Sequence, residues 1–304
     1  MPTATSALEP INVPAARATP LGSRAFGALT LSCAERPGIV QAVTSFLLAH
    51  GLDIVEHHQF DDSIRQVLFL RTAFAAEHEL DADGLSSAFA ATAAEFGMSF
   101  SFHDATKPRL LVMVSKFGHC LNDLIFRWRA GTLGGEIALV VSNHPDLRPM
   151  AEAAGLPFLH VPVTSTTKAA AEQQLLELVT EHDIDLVVLA RYMQILSDDL
   201  CRALEGRAIN IHHSFLPGFK GAKPYHQAYS RGVKLVGATA HYVTAHLDEG
   251  PIIEQEVIRV DHTHNPHTLA TVGQDAECLA LSRAVRWHCE HRVLRHGAST
   301  VVFR

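Results

Sequence analysis

The run Leu110-Leu-Val-Met-Val114 decides the fold of this 304-residue chain. Five apolar residues in unbroken succession leave no polar face, which is the pattern of a strand buried on both sides of a parallel sheet. Downstream, similar runs recur at Ile137–Val141, Phe158–Val161, Leu186–Leu189 and Ala208–Ile211, separated by helix-length stretches such as Lys168–His182. Strands alternating with helices predict an α/β fold with a Rossmann-like, mostly parallel, doubly wound sheet. Leu235–Val243 and Ile252–Val260 read as later strands, and Leu269–Arg295 as one long C-terminal helix.

Upstream of Leu110 the pattern differs. Phe26–Cys33 reads as a strand and Ile39–His50 as a helix entered through Pro37 and Gly38. Asp53–Phe60 and Gln66–Phe74 read as paired strands around the turn-prone Asp61-Asp62-Ser63, Ala82–Glu95 as a helix and Met98–His103 as a closing strand. The order βαββαβ is the ferredoxin-like arrangement. Residues 1–25, rich in Ala, Pro, Thr and Ser without apolar periodicity, are expected to be a disordered tail. Residues 104–109 are the expected linker, which puts the domains at 26–103 and 110–304.

Charge and cysteine usage narrow the function classes. A net charge of −7 argues against non-specific nucleic-acid binding, which needs a basic face. No charged-then-apolar leader is present, nor any apolar run long enough to span a bilayer. Cys33, Cys120, Cys201, Cys278 and Cys289 form no C-x-x-C pair. Few, unpaired cysteines without a leader predict free thiols in a reducing, cytoplasmic setting, with no membrane partner.

The candidate chemistry lies at Ile209-Asn-Ile-His-His-Ser-Phe-Leu-Pro217 and His246-Leu-Asp-Glu-Gly-Pro-Ile-Ile-Glu254. Positions i and i+2 of a strand share a face, so Asn210 and His212 aim at one point, within reach of Asp248 on a neighbouring element. An amide donor, an imidazole and a carboxylate serve attack on a carbonyl carbon, by stabilising the oxyanion and moving protons. Ligands of open α/β sheets bind at the carboxyl ends of strands, where Asn210-x-His212 falls. Glu249 and Glu254 are competing carboxylates, expected to be solvated or supporting.

Other motifs are weaker. Adjacent His212 and His213 point to opposite faces of a strand, and His262-x-His264-x-x-His267 sits in a loop without a cysteine, so no metal site is expected. Val114-Ser-Lys-Phe-Gly-His-Cys-Leu-Asn122 holds one glycine, Gly118, too few for a phosphate cradle. Ser115 and Lys116 there are expected to be surface turn residues. Ala190-Arg-Tyr-Met-Gln-Ile-Leu196 is either a helix entrance or a loop lining a planar ligand.

With these segments quoted, the chain resembles the folate-dependent formyltransferases, whose signature is Asn-x-His followed by Asp in D-x-G-P-I. It is closer still to the formyltetrahydrofolate deformylases, through Val114–Asp123, Ala190–Leu196, Gly221–Ala228 and Gly237–Val243. Residues 26–103, with Glu35-Arg-Pro-Gly-Ile-Val40, resemble an ACT domain. The resemblance implies hydrolysis of 10-formyltetrahydrofolate to formate and tetrahydrofolate, which balances the one-carbon folate pool and supplies formate for purine synthesis. It implies Asn210, His212 and Asp248 as the catalytic trio. Met193, Gln194, Leu196, Val243, Leu247 and Glu249 would contact substrate. No cofactor is implied beyond the folate substrate, for whose anionic glutamate tail Arg191, Lys220 and Lys223 are candidate cations. Transferase relatives carry a Gly-rich phosphate loop where this chain has Lys116-Phe117-Gly118-His119, which favours water as acceptor. The ACT resemblance implies a homo-oligomer paired through that domain, and an amino-acid effector near Gly38. Two alternatives remain open at this point: formyl transfer to an amine, and an amino-acid sensor that binds folate without turnover.

Overall fold

The computed structural model describes residues 24–218 and 224–304, so nearly all of the expected tail over 1–25 lies outside the described residues. The first unit runs β1 (Ala25–Ala34), α1 (Ile39–Ala49), β2 (Asp53–Asp62), β3 (Val67–Ala76), α2 (Ala82–Phe96) and β4 (Ser99–His103). Its sheet has the order β2-β3-β1-β4 and is antiparallel throughout. Leu29, Leu31, Leu70, Phe74 and Phe102 on one face pack against Val43, Leu47 and Phe89 of the two helices. Asp81 caps α2 by accepting from the Gly84 N–H, and Gly97 ends it in the left-handed conformation.

Residues 104–108 carry no regular structure and lead into the second unit. It runs β5 (Arg109–Val114), α3 (His119–Arg129), β6 (Glu136–Ser142), α4 (Arg148–Ala153), β7 (Phe158–His160), α5 (Lys168–Glu181), β8 (Leu186–Leu189), α6 (Asp198–Ala203) and β9 (Ala208–His212). It continues through α7 (Pro224–Ser230), β10 (Leu235–Tyr242), β11 (Ile252–Arg259), α8 (Pro266–Cys289), β12 (Val293–His296) and β13 (Ser299–Val302). The sheet order is β11-β10-β9-β8-β5-β6-β7. The strands from β9 to β7 are parallel, while β10 and β11 are added antiparallel. Leu110, Val112 and Val114 pack on α3 and α8, and Leu111 and Met113 on α5 and α6, so β5 is covered on both faces as its apolar run requires. Among the described residues, no helix is long and apolar enough to cross a membrane.

The C-terminal reading needs correction. Helix α8 starts earlier than Leu269, where Asn265 caps it and Pro266 takes the first turn, and it stops at Cys289. His291 is left-handed (φ 53), and the Arg292 N–H returns to the Trp287 carbonyl at 2.7 Å, closing the helix in a Schellman turn. Residues 293–302 are then a hairpin, turned at Gly297. Val293 and Leu294 continue the apolar spacing of the helix, and the stop is a histidine where glycine is usual, so no sequence signal marked it.

The hairpin and the end of α8 cover the second face of the first sheet. Arg71 in β3 donates to the Glu290 carbonyl at 2.9 Å and to Glu56 at 2.6 Å. Arg292 reaches Glu56 at 3.0 Å, and the rings of His103 and His291 stack with centroids 3.6 Å apart.

Candidate active site

Strand β9 has two unlike faces. Ile209 and Ile211 are buried against α8, while Asn210 and His212 face a cleft of about 380 Å³ at the carboxyl ends of β8 and β9. This is where an open α/β sheet offers its loops to a ligand. Asp248 enters from the turn after β10. Its φ of 57 is left-handed, a conformation that Asp tolerates. The turn is pinned because the Tyr242 N–H donates to the Pro251 carbonyl at 2.9 Å. A Cβ on Gly250 would collide with the Tyr242 carbonyl, so the close approach requires glycine there.

The three predicted catalytic residues meet. His212 Nδ1 lies 3.3 Å from Asp248 Oδ1, while its Nε2, buried and without a hydrogen-bond partner among the described residues, belongs to the cleft wall. Burial alone would raise the Asp248 pKa, but the hydrogen bond and charge of His212, with His241 and His213 nearby, hold it below the ordinary carboxylate range. Asp248 is therefore an ionised acceptor at neutral pH, and His212 presents Nδ1–H to it.

A fourth residue, His241, was not singled out from the sequence. It is the cross-strand partner of Asn210 in the β9–β10 ladder. Its Nδ1 donates to the Tyr242 carbonyl at 2.9 Å, which leaves Nε2 as an acceptor for the Asn210 amide at 3.3 Å. The Asn210 –NH₂ is thereby oriented, with one N–H spent on His241 and the other available to a developing oxyanion. Burial lowers the His241 pKa and keeps it neutral.

The rest of the cleft comes from two loops. Residues 190–197 do not open a helix until Ser197 caps α6. Met193, Gln194 and Leu196 line the cleft from this loop, and Val243 and Leu247 line it from the other side. Glu249 is exposed and outside the lining, and Glu254 is a buried partner of Arg283 and Arg304 rather than a solvated group. Ser115 is buried, not a surface turn residue: it donates to Asn143 at 2.6 Å and accepts from the Met193 N–H at 3.0 Å, which tethers the loop. Lys116 is exposed as expected. Arg191 lines the cleft wall but is buried against Glu277, so it is not a free cation for an anionic tail; Lys220 and Lys223 lie outside the described residues. Gly38 caps α1 at an exposed turn with φ 96.

Comparison with known proteins bears on this geometry. Residues 108–285 match the family model described as formyl transferase. The chain is 55% identical over 278 residues to the formyltetrahydrofolate deformylase of Corynebacterium sp. (strain P-1), covering 91% of this chain and 97% of that one. The crystal structure of the formyltetrahydrofolate deformylase of Burkholderia mallei superposes with a TM-score of 0.86 at 52% identity, over 92% of this chain and 100% of that one. A glycinamide ribonucleotide transformylase of Symbiobacterium toebii superposes more distantly, with a TM-score of 0.62 at 31% identity over 67% of this chain and 97% of that one. The similarity to the two deformylases extends through both sheets, and the transformylase match spans a smaller share. On that extent, with the Asn-His-Asp site in place, the chain belongs to the formyltetrahydrofolate deformylase family.

Proposed function

We propose that this chain hydrolyses 10-formyltetrahydrofolate to formate and tetrahydrofolate. The observation that carries the reading is the convergence of Asn210, His212 and Asp248 on one cleft, with an ionised carboxylate against an imidazole whose far nitrogen faces the ligand space. Asp248 holds and deprotonates a water, directly or through His212. The water adds to the formyl carbon, and the oxyanion is stabilised by the free N–H of Asn210 and by His212 once its Nε2 carries the proton taken from the water. Collapse breaks the bond to N10, which keeps the electron pair and takes a proton from His212 or from a water. The apolar Met193, Leu196, Val243 and Leu247 suit a flat pterin ring, and no cofactor enters the reaction.

The same reading makes the enzyme cytoplasmic and oligomeric, which the free thiols and the exposed Val55 and Phe60 on edge strand β2 support. It places an amino-acid effector at the Gly38 turn of an ACT-like unit.

Asp248→Asn tests the mechanism. Turnover should fall at least about a thousandfold while folate affinity changes by no more than a few-fold, measured by formate release and by fluorescence titration. Unchanged turnover would sink the assignment.

A further inference from the structure

Helix α8 carries a carboxylate that the mechanism above does not use. Glu277 is 1% exposed, and side chains from three separate elements converge on it, two by hydrogen bonds and one by an ion pair. His119 Nε2, at the start of α3, lies 2.7 Å from Oε2, and Arg191 Nε, in the loop after β8, lies 3.3 Å from the same oxygen. The Tyr225 hydroxyl, on α7, donates to Oε1 at 2.8 Å. Gly273, one turn earlier on α8, makes room for it, since a Cβ there would fall on the Tyr225 ring. Burial would raise the Glu277 pKa, but the His119 bond and the Arg191 charge hold it down, so the group is an anion.

His119, Cys120 and Glu277 also lie close enough together to hold a metal ion. Their chemistry argues against one. A hydrogen bond with Cys278 and burial push the Cys120 thiol up, so it stays protonated, and Arg191 already balances the Glu277 charge.

The hub reaches the active site through two residues. Arg191 lines the catalytic cleft, and so does His213, whose ring lies 6.2 Å from that of Tyr225 and 5.1 Å from that of His212. Arg191 is fixed twice more, by a left-handed backbone (φ 64) and by the Phe117 ring 5.3 Å under its guanidinium. Arg191 is thus tied to the hub by an ion pair, and the His213 ring packs beside its Tyr225 arm.

Hydrolysis and formyl transfer share their bond changes. A lone pair adds to the formyl carbon, the carbonyl electrons move to oxygen, and collapse breaks the C–N10 bond, with N10 keeping the pair and taking a proton. Water gives formate, whereas an amine loses one proton and gives a formamide. Because the transformylase of Symbiobacterium toebii shares the fold, the fold alone does not choose the nucleophile. On the proposed reading the folate lies against Met193, Leu196, Val243 and Leu247, so an amine acceptor would have to enter past another part of the wall, where Arg191 and His213 stand.

We infer that the Glu277 hub is the specificity-determining element that reserves this site for water, by holding Arg191, and His213 beside it, in the part of the wall past which an amine acceptor would otherwise enter. This rests on the hydrolase reading. The test supplies the full-length enzyme with 10-formyltetrahydrofolate and glycinamide, and quantifies formate against N-formylglycinamide. The wild type should yield formate, with formylglycinamide no higher than the enzyme-free background. Glu277→Ala should raise the formylglycinamide share by about tenfold or more above the wild-type background, the scale on which a pocket discriminates by size. His119→Ala and Tyr225→Phe, which each remove one arm, should do so to a lesser degree and serve if Glu277→Ala fails to fold. Folded variants that still hydrolyse yet give formate as the only product would overturn the inference, as would a wild type that already formylates glycinamide. A wild type that releases no formate would instead overturn the hydrolase reading.

Discussion

At the scale of single residues, His241 orients the proposed oxyanion donor Asn210 from the wall of the same cleft. It accepts one N–H of Asn210 and so decides which way the amide points. His241→Phe should lower kcat by about 10–100-fold with little change in KM, less than the 10²–10³ typical of deleting an oxyanion donor outright. In the background of Asn210→Ala the same change should cost almost nothing more, because His241 acts through Asn210. Additive losses would refute that dependence. The trio itself was legible: Asn210 and His212 are two apart on one strand, and Asp248 sits in a glycine-proline turn. His241, Arg191 and Glu277 were not, since each gains its meaning from a partner distant in the chain, and a single His, Arg or Glu in an apolar run carries no spacing signal.

At the scale of elements, the apolar runs gave the strands of the parallel sheet because burial on both faces leaves an unambiguous composition. The C-terminal hairpin was missed because helix and strand share apolar residues there, and only the left-handed His291 divides them. That segment clamps edge strand β2. Glu56 bonds His58, Arg71 and Arg292 at once; burial opposes ionisation, but these partners hold its pKa at about 2. The unfolded value is about 4.3, so the stabilisation is complete above that pH and is lost as pH falls towards about 2. Discounted for its partial exposure, the contribution is about 1–2 kcal/mol. Urea unfolding of Glu56→Gln should show that loss at neutral pH, and the gap to wild type should close in strong acid. A pH-independent gap would mean that packing, not charge, is responsible.

At the scale of the whole molecule, the two sequence regimes marked two units, but not the seam between them. That seam is lined with imidazoles. Burial, with neighbouring histidines and Arg71 or Arg295, lowers the pKa of His103 to about 3 and those of His288 and His291 to about 4. An unfolded chain takes up these protons below about pH 6.5, while the folded one refuses them until about pH 4. Stability is thus full above the upper value and falls as pH drops through the window, by up to about 1.4 kcal/mol per pH unit for each histidine. His291→Phe should flatten the slope of unfolding free energy against pH between those limits, whatever it does to absolute stability. An unaltered slope would place the titrating groups elsewhere.

The Arg71 bond to the Glu290 carbonyl has one more consequence. The short irregular bridge at 104–108 invites excision of the second unit as a free-standing enzyme, yet the cut would strip the cover from Phe303 and His291 and leave the end of α8 without its clasp. Helix α8 is about 36 Å long and carries Glu277 on the same rod. The two halves are joined by a keystone rather than a hinge, so neither module can be exchanged between relatives unless the last fifteen or so residues travel with the first sheet.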